Sequence, residues 1–280
     1  VQTIRDLNAL REWRCAVSGK VALVPTMGAL HDGHMALVAE AKAKADHVVA
    51  SIFVNPKQFG PNEDLSRYPR REAADATLLK EAGVAVLWAP DVDTMYPDGF
   101  ATNVQVAALG DGLCGASRPG HFDGVATVVA KLFNQVRPDI AVFGEKDWQQ
   151  LAIVRRMALD LDLGVEIIGL PTQRDADGLA LSSRNIYLSE EERRAARMLP
   201  RALGEAAAAI GNGQEIDESL ARAVTTIEKA GFDVDYVAVV DDRLNPVKKM
   251  AEIGGSARIL AAARIGTTRL IDNLPVAPPK

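Results

Sequence analysis

The stretch Val21-Ala22-Leu23-Val24-Pro25-Thr26-Met27-Gly28-Ala29-Leu30-His31-Asp32-Gly33-His34 decides the fold. Its first four residues have the composition of a buried strand, Pro25 to Gly28 form a tight turn, and residues 35–44 are helix-like. A strand, a glycine turn and a helix in succession aim backbone N–H groups and a positive dipole end at whatever lies beyond the strand. His31 and His34, three residues apart, can face that point together and offer donors to phosphate oxygens. The chain has 4 histidines, and two of them stand in this tetrapeptide. That concentration suggests a nucleotide phosphate site.

Two other readings compete. A histidine pair at this spacing also arises by chance on a helix surface, and histidines on one helical face can chelate zinc. Chelation finds no support nearby: there is no His-Glu-x-x-His run, Cys15 and Cys114 are far apart, and no third ligand is evident. The sequence nominates no metal ligand, and the strand–turn–helix setting with Gly28 favours phosphate.

Strand and helix patterns alternate outward from this point. Thr3 and Asp6 fit a capping-box-like helix start, followed by Ile4, Leu7 and Leu10 every three residues. Residues 48–54 read as a buried strand ended by Asn55-Pro56, and residues 71–82 as a helix ended by Gly83. Further strands are expected at 84–88, 140–143 and 165–170, with helices at 122–136 and 147–161. Alternation of this kind implies an α/β, Rossmann-like parallel sheet with right-handed crossovers, binding at the carboxyl ends of its strands. After Pro171 the pattern changes. Ser189 with Glu192 opens a long Ala-rich helix, another spans 216–230, and strands follow at 235–240, 257–264 and 268–272. These describe a smaller α+β C-terminal domain, with the division placed at 1–172 and 173–280.

Four more segments are candidates for chemistry. Gly144-Glu145-Lys146-Asp147-Trp148-Gln149-Gln150 repeats the strand-end, helix-start geometry; Lys146 can bridge phosphates and Asp147 can accept from ribose hydroxyls, although a solvated helix start reads the same way. Leu181-Ser182-Ser183-Arg184-Asn185 offers two hydroxyls and a guanidinium fork suited to phosphates, or a plain turn before a helix. Asn55-Pro56-Lys57-Gln58-Phe59 ends a strand beside the expected site, and Gln58 offers a donor and an acceptor to a small hydroxy acid. Arg118-Pro119-Gly120-His121-Phe122 is either a helix entry or a loop carrying charge to the substrate.

Bulk composition bounds the function. With 280 residues, two domains of unequal size are expected; 48% hydrophobic and 25% charged residues describe an ordinary globular protein. A net charge of −5 argues against a nucleic-acid binder. No apolar run has the length of a membrane span and no basic-then-apolar leader is apparent, so no membrane association and a cytoplasmic location are expected.

The segments 25–34, 53–59, 118–122, 144–150 and 182–185, in this order, closely resemble the pantoate–β-alanine ligase (pantothenate synthetase) family. The resemblance continues to Thr267-Thr268-Arg269-Leu270-Ile271-Asp272-Asn273. The His-x-Gly-His signature alone marks the nucleotidyltransferase-like superfamily; the Ser-Ser-Arg-Asn loop and the Gly-Glu-Lys-Asp run narrow it. The resemblance implies ATP-dependent condensation of (R)-pantoate with β-alanine through a pantoyl-adenylate, releasing pyrophosphate and AMP. It implies ATP binding by Met27, Gly28, Ala29, Leu30, His31, Asp32, Gly33, His34, Gly144, Glu145, Lys146, Asp147, Gln173, Leu181, Ser182, Ser183 and Arg184. His34, His31, Lys146 and Arg184 take the catalytic roles, Gln58 and Gln150 hold pantoate, and Gln58 also meets β-alanine. Mg²⁺ with the ATP, a homodimer and a lid-like C-terminal domain are implied as well. Lys57, Cys114 and Trp148 depart from the residues usual for the family, but no implied catalytic group is missing. The alternatives are a small-molecule nucleotidyltransferase of the same superfamily, which needs a second phosphate pocket, and a catalytically silent nucleotide binder, which predicts gaps among these residues.

Overall fold

The computed structural model describes residues 1–61, 63–250 and 256–277. The chain divides into two compact units, one of Val1–Glu145 with Ile153–Pro171 and one of Lys146–Ala152 with Thr172–Lys280.

In the first unit, strands β1 (Gln2–Ile4), β2 (Val21–Thr26), β3 (His47–Ile52), β4 (Val86–Trp88), β5 (Ile140–Gly144) and β6 (Glu166–Leu170) form a parallel sheet ordered β1-β4-β3-β2-β5-β6. Helices α1 (Leu7–Ala16), α2 (Asp32–Lys44), α3 (Glu72–Glu81), the short α4 (Val92–Met95) and α5 (Cys114–Ser117), and α6 (His121–Val136) fall between strands; α7 (Trp148–Asp160) runs from residues of the second unit into the first. Val21 to Val24, Val49 and Ala50, Val86 to Trp88 and Ala141 and Val142 are fully or almost fully buried. Continuous apolar runs of this kind belong to a sheet covered on both faces, which is why they lack alternation.

The opening differs from the capping-box expectation. Gln2–Ile4 is an edge strand paired with Val86–Trp88, and Asp6 alone caps α1, its Oδ1 accepting from the Ala9 N–H at 2.9 Å. Ile4, Leu7 and Leu10 are spaced by three only because a strand and a helix both turn apolar side chains inward across a two-residue joint. A three-residue strand is too short for period to announce it.

β2 also runs two residues further than the apolar stretch predicts, through Pro25. It pairs with β3 over all six residues, but with β5 only at Ala22↔Ile140 and Leu23↔Ala141. The Thr26 carbonyl accepts from the Phe53 N–H at 3.1 Å, on the β3 side, so Pro25 turns its hydrogen-less nitrogen toward β5. The proline thus sits where the ladder to β5 has ended. Chain order reverses at this same boundary: β3 and β4 lie to one side of β2, β5 and β6 to the other. Open α/β sheets bind ligands at such a switch point.

In the second unit, strands β7 (Asp233–Asp241), β8 (Ala257–Ile265) and β9 (Thr268–Val276) form an antiparallel sheet in that order, with helices α8 (Glu190–Ala196), α9 (Met198–Gly211) and α10 (Ile216–Lys229). Leu199, Leu203, Ile210 and Ile227 pack in one core with Ile259, Ala261 and Ala263 of β8. The predicted capping box is present: the Ser189 N–H donates to Glu192 Oε2 at 2.8 Å, and the Glu192 N–H to Ser189 Oγ at 3.2 Å. The single long helix expected after it is two helices, broken at Arg197. Pro200, the third residue of α9, has no N–H for the carbonyl of Ala196 and its ring would meet that carbonyl. No helix among the described residues is long and apolar enough to cross a membrane.

Candidate active site

The loop leaving β2 is built around a buried carboxylate. Thr26 Oγ1 donates to the Ser51 carbonyl at 2.7 Å and accepts from the Gly28 N–H at 3.1 Å, which starts the turn. Gly28 (φ 80°) and Ala29 (φ 51°) both lie in the left-handed region. Ala29, which has a Cβ, must be held there, and Asp75 of α3 does so: its Oδ2 accepts from the Ala29 N–H at 2.8 Å and its Oδ1 from the Leu30 N–H at 2.9 Å. Asp75 is 2% exposed. A side chain at Gly28 would sit 3.1 Å from both Asp75 Oδ2 and Ile52 Cγ2, so glycine serves here for space as well as for backbone angle.

His31 and His34 cap the first turn of α2 reciprocally. The Gly33 N–H donates to His31 Nδ1 at 3.1 Å and the His31 N–H to His34 Nδ1 at 3.3 Å, while the ring centroids stand 4.1 Å apart. An imidazole nitrogen that accepts carries no proton, so each ring presents its proton on Nε2. The pair is therefore two oriented Nε2–H donors beside a helix N-terminus. Asp32 and Gly33 lie between them in the first turn of α2, and Met27 to Leu30 form the loop.

At the end of β3, Asn55 is fully buried and organises the next turn. Its Oδ1 accepts from the Lys57 N–H at 3.2 Å and from Tyr96 Oη at 2.8 Å; its Nδ2 donates to Gln58 Oε1 at 2.8 Å and to the Gly124 carbonyl at 3.0 Å. Burial pushes the Tyr96 phenol up from its ordinary pKa, so it stays a donor. A glutamine side chain can offer a ligand both an acceptor and a donor, as expected of Gln58 from sequence. Asn55 Nδ2 takes one lone pair of the Gln58 oxygen and so fixes the orientation of the Gln58 amide. Lys57 lies 5.3 Å from the ring centroids of both Tyr96 and Phe100. Gly124 lets α6 approach closely: a Cβ there would fall 2.1 Å from the Lys57 carbonyl oxygen.

Arg118 resolves as a helix entry. Its Nε and Nη2 donate to the two Glu63 oxygens at 2.6 Å each, and Nη2 also to the Gln58 carbonyl at 3.2 Å. His121 Nδ1 stands 2.8 Å from that carbonyl and Nε2 2.8 Å from Arg118 Nη1, so Nδ1–H donates and Nε2 accepts. The Arg118 charge is matched by Glu63. Burial alone would raise the Glu63 carboxyl, but the Arg118 hydrogen bonds and charge bring it down to about 2.

Gly144 ends β5, and Glu145–Asp147 is a 3-10 turn before α7, where the sequence suggests a continuous helix from Asp147. Lys146 thus lies on a tight turn, and Gln150 is the third residue of α7. In the second unit the Leu181 N–H donates to the Gln173 carbonyl at 2.9 Å, bringing those two residues together. Ser182 Oγ accepts from the Arg184 N–H at 3.2 Å and caps the 3-10 turn Ser183–Tyr187. Asn55 and Asp75 organise the turns that carry the candidate residues, and sequence reasoning misses both. Asn55-Pro56 reads only as a strand end, and Asp75 looks like any surface acid on a helix; only tertiary burial distinguishes it.

This strand order places the His-x-Gly-His turn at the switch point of the sheet, where open α/β sheets bind their ligands. A model of the pantoate-beta-alanine ligase family matches residues 1–275. The pantothenate synthetase of Sphingopyxis alaskensis is 64% identical over 280 residues, covering 99% of this chain and 100% of the relative. The crystal structure of pantothenate synthetase from Thermus thermophilus is 49% identical and covers 99% of this chain and 100% of its own, with a TM-score of 0.94. The ligase of Francisella tularensis, solved in complex with beta-gamma ATP and beta-alanine, is 33% identical with a TM-score of 0.83, covering 98% of this chain and 97% of its own. The chain belongs to the pantoate–β-alanine ligase family: it is an ATP-using ligase that joins pantoate to β-alanine.

Asp75→Asn replaces one acceptor with a donor facing buried N–H groups. It is expected to cost about 2 kcal/mol of unfolding free energy and to raise the KM for ATP; unchanged urea unfolding and KM would contradict the clamp. Glu63 titrates at about 2 when folded against an ordinary 4.5, so its stabilisation is full above 4.5 and lost as pH falls toward 2. Urea unfolding across pH should show Glu63→Gln less stable than the parent at neutral pH, with the gap closing below pH 4.5. A gap independent of pH would refute the pairing.

Proposed function

We propose that the ligase works through a pantoyl-adenylate. The pantoate carboxylate attacks the α-phosphorus of ATP and displaces pyrophosphate; the β-alanine amine then attacks the activated carbonyl, expels AMP and loses a proton to give pantothenate. The observation that carries this reading is the reciprocal His31–His34 cap at the switch point, which orients two N–H donors without a formal charge on Nδ1. Phosphoryl chemistry of this kind needs an in-line nucleophile and donors placed where charge gathers, and no covalent protein group.

In this reading Met27 to Leu30, Asp32 and Gly33 line ATP, and His31 and His34 donate to its phosphate oxygens. Lys146 supplies a compact cation to the leaving pyrophosphate, with Ser182, Ser183 and Arg184 as further donors. Gly144, Glu145 and Asp147 flank the ribose, and Gln173 and Leu181 meet the adenine mainly through backbone. Gln58 and Gln150 hold pantoate, and Gln58 also meets β-alanine. His34 acts as a charge-stabilising donor, since pyrophosphate needs charge relief more than a proton.

Among the described residues no group of three or more His, Cys, Asp and Glu side chains could hold a metal ion. Mg²⁺ would be held mainly through the phosphates of ATP and water, as is common for this ion. When bound there, the cation neutralises phosphate charge. A homodimer, which rests on the family resemblance, and a cytoplasmic location, which rests on the sequence reading, complete the proposal.

Exchange of labelled pyrophosphate into ATP tests the reading with β-alanine omitted. Exchange should require pantoate, and Lys146→Ala should slow it by about 100-fold or more while thermal unfolding stays unchanged. Exchange without pantoate, or parental exchange in the Lys146 variant, would overturn the proposed step or the proposed role.

A further inference from the structure

The Thr267–Asn273 stretch resembles the family yet has no part in the roles above. Its last two residues are buried, Asp272 at 2% and Asn273 at 3% exposed. Arg174 forks onto Asp272, Nη1 to Oδ2 at 2.7 Å and Nη2 to Oδ1 at 2.8 Å, and the same Oδ1 accepts from the Asn273 N–H at 2.7 Å. The β9 backbone is thereby fixed at Asn273. Opposite it on β8 stands Leu260, so Arg258, two residues earlier, shares the Asn273 face as its diagonal neighbour. Arg258 Nη1 donates to Asn273 Oδ1, which settles the amide orientation, and Asn273 Nδ2 donates to the Lys146 carbonyl at 2.8 Å. The Arg258 guanidinium also lies 3.8 Å from the ring centroid of Trp148, two residues beyond Lys146.

The turn carrying Lys146 is therefore gripped twice, at its own carbonyl and at Trp148. Lys146 has a long flexible stem, so the placement of its ammonium depends on where its backbone is held. We propose that Asn273 is a positioning residue for Lys146, with Arg258 and Asp272 setting its orientation. The inference rests on the adenylation role proposed for Lys146. A buried charge network is poor support for stability alone, since well-packed apolar residues often serve as well. Here one of its bonds ends on the backbone of the cationic residue Lys146.

The test is pantoate-dependent pyrophosphate–ATP exchange in the full chain, for Asn273→Ala, Lys146→Ala and the double variant. Asn273→Ala should lower the maximal exchange rate by about 10- to 100-fold and leave the KM for pantoate within about threefold. A residue acting only through Lys146 adds nothing once Lys146 is gone, so the double variant should be no slower than Lys146→Ala. Arg258→Met, milder because Asn273 remains, should lower the same rate with the same non-additivity, and serves if Asn273→Ala does not fold. Parental exchange in folded Asn273→Ala, or losses that multiply in the double variant, would overturn the proposal. Parental exchange in Lys146→Ala alone would show instead that the Lys146 role has failed, and the positioning role with it.

Discussion

The site in the first unit depends on one carboxylate. Asp75, buried on α3, accepts from the Ala29 and Leu30 N–H groups and so holds a left-handed Gly28-Ala29 turn that an alanine would not otherwise keep. His31 follows one residue later as the cap of α2, and the angle at which that helix leaves the sheet is set by this turn. The β2–β5 pairing ends at Leu23 and Ala141, and Pro25, with no N–H to offer β5, stands just beyond it. Turn and donors thus follow from consecutive residues of one segment and a single partner from another helix.

Hydrogen bonds within the protein decide which groups are left for a ligand. The two imidazoles use Nδ1 as acceptors within the cap, which places their protons on Nε2 and orients both rings at the start of α2. Donors that need no reorganisation are the kind that stabilise developing charge most effectively. Arg118, a cation beside the Gln58 turn, is neutralised by Glu63 and braces the Gln58 carbonyl together with His121. The Gln58 amide is held in one orientation because Asn55 Nδ2 donates to its oxygen. Each group is defined by what holds it as much as by what it is.

Much of this is legible in the sequence. The apolar runs at 21–24 and 140–143 announce buried parallel strands, Gly28 announces the turn, and Ser189 with Glu192 announces a helix start that the structure contains. What escapes lies beyond local pattern. Gln2–Ile4 is a strand only because β4 offers it an edge, and Pro200 breaks a helix whose alanines argue for continuity. Asp75 and Asn55 are buried by distant segments, and Arg118 stays open in the sequence between a helix entry and a charged loop because its partner Glu63 lies 55 positions away. Residues whose function is to bond their own neighbours are readable; residues whose function is to bond a distant backbone are not.

The proposed acyl-adenylate step leaves an atomic trace. If the pantoate carboxylate attacks the α-phosphorus, cleavage by β-alanine leaves one carboxylate oxygen on AMP. Pantoate labelled with ¹⁸O in its carboxylate, turned over with ATP and β-alanine, should yield AMP carrying a single ¹⁸O, read by mass spectrometry. Unlabelled AMP, or label found in inorganic phosphate, would contradict an acyl-adenylate and the account built on it.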